Sequence, residues 1–510
     1  MKRARYKAYM HRLINTDLLH MTNGRKHYHM KRLILIYSLL IVLMSGLVSC
    51  EKLFDTKPLD STPAEDILTN ENDAQTLLYG MYAYFGSGAS YGRSLTTMLD
   101  IMTDASLAST GFSNQLGQMF AWKINPGTSE VGDLWSNHYG AIYNATYLIN
   151  NLHTISGDSV NLDRIKGEAF VGRALMHYNL VRLFAKSYNS STAANEMGIP
   201  YRLDYDDPNP SRNSVGEVYD LIVSDLDKAL ELLPNNESYD NEVFTLDFAN
   251  GLMARVLLDM KDYAGVIEHT SQVINNPAFS LTKDQAFTDM WLKDTGSEII
   301  WRVGYRITDA NLVAPGYNFF NMNNMESPLL PDYIPSDKWV NLFNSKDIRL
   351  STYVASVTTG YGWNSKLVIK YPTNPDFTSQ VVGMNMPKPM RLAEMYLMRA
   401  EAYAFSNDDE SAIADLDALL ENRIENHQGV SIEGDALKSF IIQERQRELM
   451  FEGFYWFDLK RMGKGFARIP QDNTSTANDL DIKADDYRWQ WPIPTSELNG
   501  NPVIKQNEGY

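Results

Sequence analysis

The chain has 510 residues, with 46 Lys or Arg against 63 Asp or Glu, a net charge of −17 and a single cysteine. One thiol excludes an internal disulfide, and a structural metal site needs several convergent ligands. So acidic a chain repels phosphate backbones, which argues against any nucleic-acid partner.

From the N-terminus, RLILIYSLLIVLMSGL (32–47) is almost wholly apolar and follows Lys31. A basic n-region, an apolar h-region and a small-residue end read as an export signal. The run falls short of the roughly 18–20 residues that span a bilayer. MKRLILIYSLL is complete as an n- and h-region, so Met30 is a more natural start than Met1. Residues 1–49 hold nine Lys or Arg and one Asp, which leaves 37 basic against 62 acidic residues, a net −25, from Cys50 onward. LVSC (47–50) has the pattern of a bacterial lipobox, an apolar residue three places before the cysteine and a small one beside it. Cleavage there would expose Cys50 for a diacylglyceryl thioether and an acylated amine, and two or three chains anchor firmly where one is marginal. Residues 1–49 are thus read as a removed signal, Cys50 as the lipidation site, the polar segment 50–66 as a tether, and 67–510 as one large body.

Within the body, Ala74–Phe85, Arg93–Thr103 and Leu134–Asn151 carry apolar residues at three- and four-residue steps. The spacing predicts the longest helix over 161–185, with Ile165, Ala169, Ala174, Tyr178 and Leu180 or Val181 as its packed stripe. Ser214 with Glu217 predicts a capping box, and Pro234 closes that segment. Segments 246–260 with 262–274, and 390–405 with 411–424, read as helical hairpins. Ala254, Ala264, Ala400, Ala404 and Ala412 sit where helices must approach closely. Together with 161–185 and 215–233 these are irregular helix pairs of tetratricopeptide type, a scaffold covering about 161–275 and 390–424. Residues 276–389 differ. SEIIWRVGY (297–305) and SKLVIKYP (365–372) are strand candidates among Asn, Gly, Pro and aromatic residues. The expected fold is mainly alpha: tetratricopeptide-like pairs supporting a variable, loop-rich face with a few short strands. Long loops on such a scaffold commonly carry function.

Catalytic patterns are weak. GASYG (88–92) matches the G-x-S-x-G elbow, but a helical pattern precedes Ser90 where a strand is required. His138, His153, His177, His269 and His427 form no HExxH motif. DYDD (204–207) could help hold a structural calcium ion, though an ordinary acidic loop is the better reading; no cofactor is expected. Aromatics say more. Tyr91, Phe112, Trp122, Tyr317, Phe319, Phe320, Tyr361 and Trp363 lie in polar or glycine-rich loops. Sugar rings stack their C–H faces on such side chains, and amides meet the hydroxyls. The stacking candidates are Trp122, Tyr317 and Trp363, with Tyr91 and Tyr361 behind them. Asn114, Gln115 and Asn318 are the candidates for hydroxyl contacts.

MRLAEMYLMRAEAYA (390–404), QERQRELMFEGFYWFDLKR (443–461) and WPIPTSELNGNPVIKQNEGY (491–510) resemble C-terminal signatures of the SusD/RagB family, outer-membrane nutrient-binding lipoproteins of Bacteroidetes. The lipobox and GIP (198–200) ahead of SVGEVYDLIVSDLDKALELLP (214–234) fit the same resemblance. It implies four tetratricopeptide-like pairs, an outer-membrane, outward-facing location, and a partner channel of the SusC-like TonB-dependent type. It also implies capture of an oligosaccharide or polysaccharide without catalysis; peptide or glycopeptide capture is the alternative. Tyr455 departs from the family, which often has a basic residue there. Glu444, Arg445, Arg447, Glu448, Glu452, Asp458 and Arg461 read as scaffold ion pairs rather than catalytic acids. Ligand residues of the family lie in variable loops, so no motif carries them over to this chain.

Cys50→Ala is expected to leave the protein unacylated or unprocessed. Intact-mass analysis of membrane-extracted material decides this, and a mature terminus elsewhere without acyl mass would refute the anchor.

Overall fold

Side-chain oxygens mark where many of the helices begin, because the first N–H groups of a helix lack an intrahelical acceptor. The computed structural model describes residues 67–235, 241–306, 312–377 and 382–510; the leader, Cys50 and the tether lie outside the described residues. Helix α1 (Glu71–Ala83) starts at Asn70, which accepts from the Asn72 and Asp73 amides. α2 spans Ser129–Asn151, and Asp158 caps α3 (Ser159–Phe184). Ser214 and Glu217 form the expected capping box of α4 (Val215–Leu232). Thr245 caps α5 (Leu246–Met260) and Asp262 caps α6 (Tyr263–Ile274). Then follow α7 (Leu392–Phe405), α8 (Asp409–Leu420, capped by Asp408), α9 (Gly434–Glu448) and α10 (Tyr455–Arg461).

The mainly alpha, paired-helix architecture is as expected. α3 packs on α4, α5 on α6 and α7 on α8, and a fourth pair joins α1 to α2 across residues 84–128. α7 also packs on α6 and α9, so successive pairs share a continuous core. One expectation was too narrow. α3 is buried on all sides from Gly167 to Val181 rather than along one stripe, as befits a helix enclosed by neighbours. Its polar residues are accordingly paired: Arg173 makes a bidentate contact with Asp225 at 2.7 and 2.8 Å, and Glu168 accepts from the Tyr82 hydroxyl at 2.7 Å. Ala254, Ala400, Ala404 and Ala412 are fully buried as expected, whereas Ala264 is exposed. The close approach falls one residue later, where a Cβ on Gly265 would lie 2.6 Å from Leu257 Cδ1.

Short strands β1 (Ser106–Ala108), β2 (Ile299–Trp301), β3 (Tyr333–Pro335), β4 (Val354–Thr358), β5 (Asn364–Val368) and β6 (Met390–Arg391) pair antiparallel as β1–β3, β2–β6 and β4–β5. Both predicted strand segments are present, as β2 and β5. No helix among the described residues is long and apolar enough to cross a membrane.

The 443–461 charges form scaffold. Glu448 meets Arg391 and Arg423 at 2.9 Å and Arg349 at 3.1 Å. Arg391 also reaches Glu298 and Glu452 at 2.6 Å, and Lys370 reaches Glu452 at the same distance. Arg349 bonds Asp347 at 2.7 Å and also Glu444. None of these side chains is more than 4 % exposed. Outside this cluster, Arg461 pairs with Glu401 and Asp458, and Arg445 with Asp458. Tyr455, the departure from the family pattern, is buried with its ring edge-on to Trp339 at 4.5 Å.

Burial by itself would raise the Glu448 pKa, but Arg423, Arg391 and Arg349 together hold it well below the usual carboxylate range. A depressed carboxylate stabilises the fold above its unfolded pKa of about 4.3, and that contribution is lost as pH falls through the lower folded value. Glu448→Gln strands buried guanidinium charge, with an expected loss of about 3–5 kcal/mol. Denaturant titration should show this loss at neutral pH and a shallower acid limb than wild type. The exposed Glu508→Gln should match wild type in both.

Candidate functional site

The β4–β5 hairpin closes through Thr359 to Trp363. The Thr359 amide and hydroxyl donate to the Trp363 carbonyl at 3.0 and 3.1 Å, and Gly362 takes the left-handed turn position with φ 86°. At this tip the Tyr361 and Trp363 rings stack, with centroids 5.5 Å apart and planes 14° from parallel. Both residues are half-buried, so the stack is supported yet reaches the surface. The Gly360 amide ties the tip to the Leu329 carbonyl at 2.7 Å, and the Tyr361 hydroxyl donates to the Gly111 carbonyl at 2.7 Å. Position 111 must be glycine for this contact, since a Cβ there would fall 2.4 Å from the Tyr361 ring. Burial, and then the charge of Asp332, raise the Tyr361 pKa, so the phenol stays protonated as the donor.

Asp332 joins the remaining loops. Its carboxylate accepts from the Ser113 amide and, at 3.0 Å, from the Ser113 hydroxyl; its carbonyl accepts from the Ser109 amide at 2.9 Å. Its own amide donates to the Asn318 carbonyl at 3.1 Å, and the Asn318 amide donates to Gln115 Oε1 at 3.2 Å. Tyr333 on β3 donates its hydroxyl to the Gln115 carbonyl at 2.5 Å. Burial raises the Asp332 pKa, and the Ser113 bonds offset part of that rise. Asn114 is exposed with φ 68°, Gln115 and Tyr317 are half-buried, and Asn318 is buried behind them. Hydrogen bonds thus tie Tyr361 to the 109–115 loop, and Gln115 of that loop to the buried Asn318. Trp363 is stacked on Tyr361, and Asn114 and Tyr317 are the chain neighbours of Gln115 and Asn318.

Two predicted stacking residues do not belong there. Trp122 is 1 % exposed, donates its indole N–H to the Met102 carbonyl at 2.7 Å and packs edge-on to Trp489 at 4.8 Å. Its positive φ of 53°, just after a helical turn at Gly117–Phe120, directs the chain so that the ring enters the core. Tyr91 is 6 % exposed, accepts from Asn179 at 3.0 Å and lies edge-on to Trp301. Neither ring has a face to offer a ligand. Sequence reasoning missed Ser113 and Asp332, whose importance is positional and leaves no spacing signal.

Asp204, Tyr205 and Asp207 turn their carbonyls onto the Arg202 guanidinium, at 3.2, 3.3 and 2.7 Å, where a calcium ion was considered. No group of three or more His, Cys, Asp or Glu suited to a metal occurs among the described residues. A cleft of about 1060 Å³ opens elsewhere, beside Tyr84, Trp301 and Tyr305, and none of the predicted site residues lines it.

A sequence model of the SusD family matches residues 344–510, and one described as "Starch-binding associating with outer membrane" matches residues 55–258. SusD-like protein P2 of Formosa agariphila is 25 % identical over 92 % of this chain and 98 % of its own. The crystal structure of a SusD superfamily protein from Bacteroides thetaiotaomicron is 26 % identical, with a TM-score of 0.75 over 86 % of this chain and all of that one. A laminarin-binding SusD-like protein of known structure is 22 % identical, with a TM-score of 0.68 over 87 % of this chain and all of that one. With a SusD model over 344–510, a second SusD-like model over 55–258 and a shared helical architecture over 86 % of its length, the chain belongs to the SusD family, whose members are non-catalytic, outer-membrane nutrient-binding proteins.

Proposed function

We propose that the protein captures a neutral oligosaccharide or polysaccharide on the Tyr361–Trp363 ledge and passes it, uncleaved, to a SusC-like TonB-dependent channel. The observation that carries this reading is the pair of parallel rings at the hairpin tip, tied through Gly111 to the loop that carries the exposed Asn114 and half-buried Gln115 amides. Parallel rings offer apolar area to the C–H faces of a sugar, and amides supply both donors and acceptors for its hydroxyls. The laminarin-binding relative makes a glycan the natural first class to test. Cys50, acylated, would hold the body at the outer membrane beside the channel.

A glycan array run beside a peptide library tests the ligand class; selective peptide binding would replace this reading with peptide or glycopeptide capture. Recovery of the protein without a channel from mild-detergent extracts, under conditions that keep other channel complexes intact, would count against the partnership. For the array's best glycan, Trp363→Ala should lose about 2 kcal/mol, the scale of a binding hot spot, or roughly thirtyfold in Kd. The melting temperature should stay near wild type. Trp122→Ala should do the reverse, losing about 3–5 kcal/mol of fold stability as a large-to-small core change. Wild-type glycan affinity in Trp363→Ala overturns the ledge.

A further inference from the structure

A pocket of about 140 Å³, lined by no residue of the β4–β5 hairpin, lies between α2, the 200–210 loop and the C-terminal segment. Its walls are the rings of Trp135, Tyr139, Tyr143 and Tyr205, and Arg202 and Glu497 add one charge of each sign. The walls are built rather than incidental. The Trp135 indole donates to Glu497 at 3.1 Å, and the Tyr139 hydroxyl to the Pro200 carbonyl at 2.8 Å. The Arg202 guanidinium is fixed by the three loop carbonyls it meets. Asn501 holds the other Glu497 oxygen at 3.1 Å.

Binding capacity is left over. A carboxylate has about four lone-pair sites, and described residues engage the Glu497 oxygens through Trp135 and Asn501. No hydrogen bond among the described residues engages the Tyr143 or Tyr205 hydroxyl, and Tyr143 is 46 % exposed with its ring edge-on to Tyr205 at 6.0 Å. The pocket's volume of about 140 Å³ is small against the roughly 300–1,000 Å³ of a drug-sized ligand's pocket, which limits it to a single small ring. Aromatic walls suit the C–H faces of a single ring, and the Glu497 carboxylate and Tyr hydroxyls suit its rim of hydroxyls. Opposite charges at Arg202 and Glu497 give no net preference for an ionised sugar.

We infer that this pocket is a second sugar site, taking one neutral pyranose unit, distinct from the ledge. The inference borrows only the ligand class from the glycan reading of the ledge.

Saturation-transfer NMR on the full chain, with free glucose, galactose, mannose and xylose as separate probes, tests it. At least one probe should bind wild type and Trp363→Ala alike. Its Kd should rise at least tenfold in Tyr143→Ala/Tyr205→Ala and severalfold in Glu497→Gln. Should the double variant fail to fold, Glu497→Gln alone decides. The site is overturned if no probe binds wild type, if Trp363→Ala abolishes the signal, or if the pocket variants leave it unchanged. A proline-rich peptide binding there in place of every sugar overturns it too. Failure of the ledge reads out separately, as an array glycan that binds Trp363→Ala normally.

Discussion

Burying Arg349, Arg391 and Arg423 incurs a desolvation penalty on the order of several kcal/mol per ion, and the chain offsets it by giving each guanidinium more than one carboxylate. Glu448 sits at the centre, touching all three. The partners come from distant parts of the chain: Glu298 beside β2, Arg391 on β6, Arg423 after α8, and Glu444 and Glu448 on α9. Apolar residues of the same volume could serve stability as well. What the ionic set adds is geometry, because guanidinium forks and carboxylates accept only a narrow range of alignments.

That geometry reaches the ledge. Arg349 stands just before β4 and Lys370 just after β5, both wholly buried in the network. Burial depresses the Lys370 pKa to about 8, with Glu452 opposing the shift, so the ammonium remains largely charged at neutral pH and keeps its bond. Both roots of the hairpin are therefore fixed, and its tip is strapped to the 109–115 loop through Tyr361 and Gly111. On the glycan reading, a ledge ordered before the ligand arrives would spare the complex the entropy of ordering it. Rigid roots and a short tip explain how a loop-rich face can present two rings in parallel.

Helix periods and caps were legible because they are local. Ser214–Glu217 and the alternation across 246–274 report the structure of their own segments, and the strands at 299–301 and 364–368 follow from local composition. The α1–α2 pair was not legible, since its helices are separated by residues 84–128 and their pairing is a tertiary fact. The all-round burial of α3 likewise depends on neighbours its sequence does not name. Among the candidate residues, the surface position of Trp363 and Tyr361 was legible because a glycine-rich hairpin tip must lie at the surface. Trp122 and Tyr91 share that loop-like context, yet their rings point inward. Flanking polarity describes the backbone's exposure, while ring direction depends on φ at one residue and on partners such as Met102 and Asn179. Asp332 had no signal at all: its role arises only when three loops meet.

On the glycan reading of the ledge, selectivity would follow from the amides of the 114–115 loop. Asn318 donates to Gln115 Oε1, which fills one of that oxygen's two lone pairs. Asn114, exposed in a left-handed conformation, can present either end of its amide. Each neutral hydrogen bond contributes only about 0.5–1.5 kcal/mol net, whereas a buried donor left without a partner costs about 1–3 kcal/mol. On that reading, a sugar that leaves the half-buried Gln115 amide unpaired would bind less well than one that pairs it, whereas the exposed Asn114 returns to water at little cost.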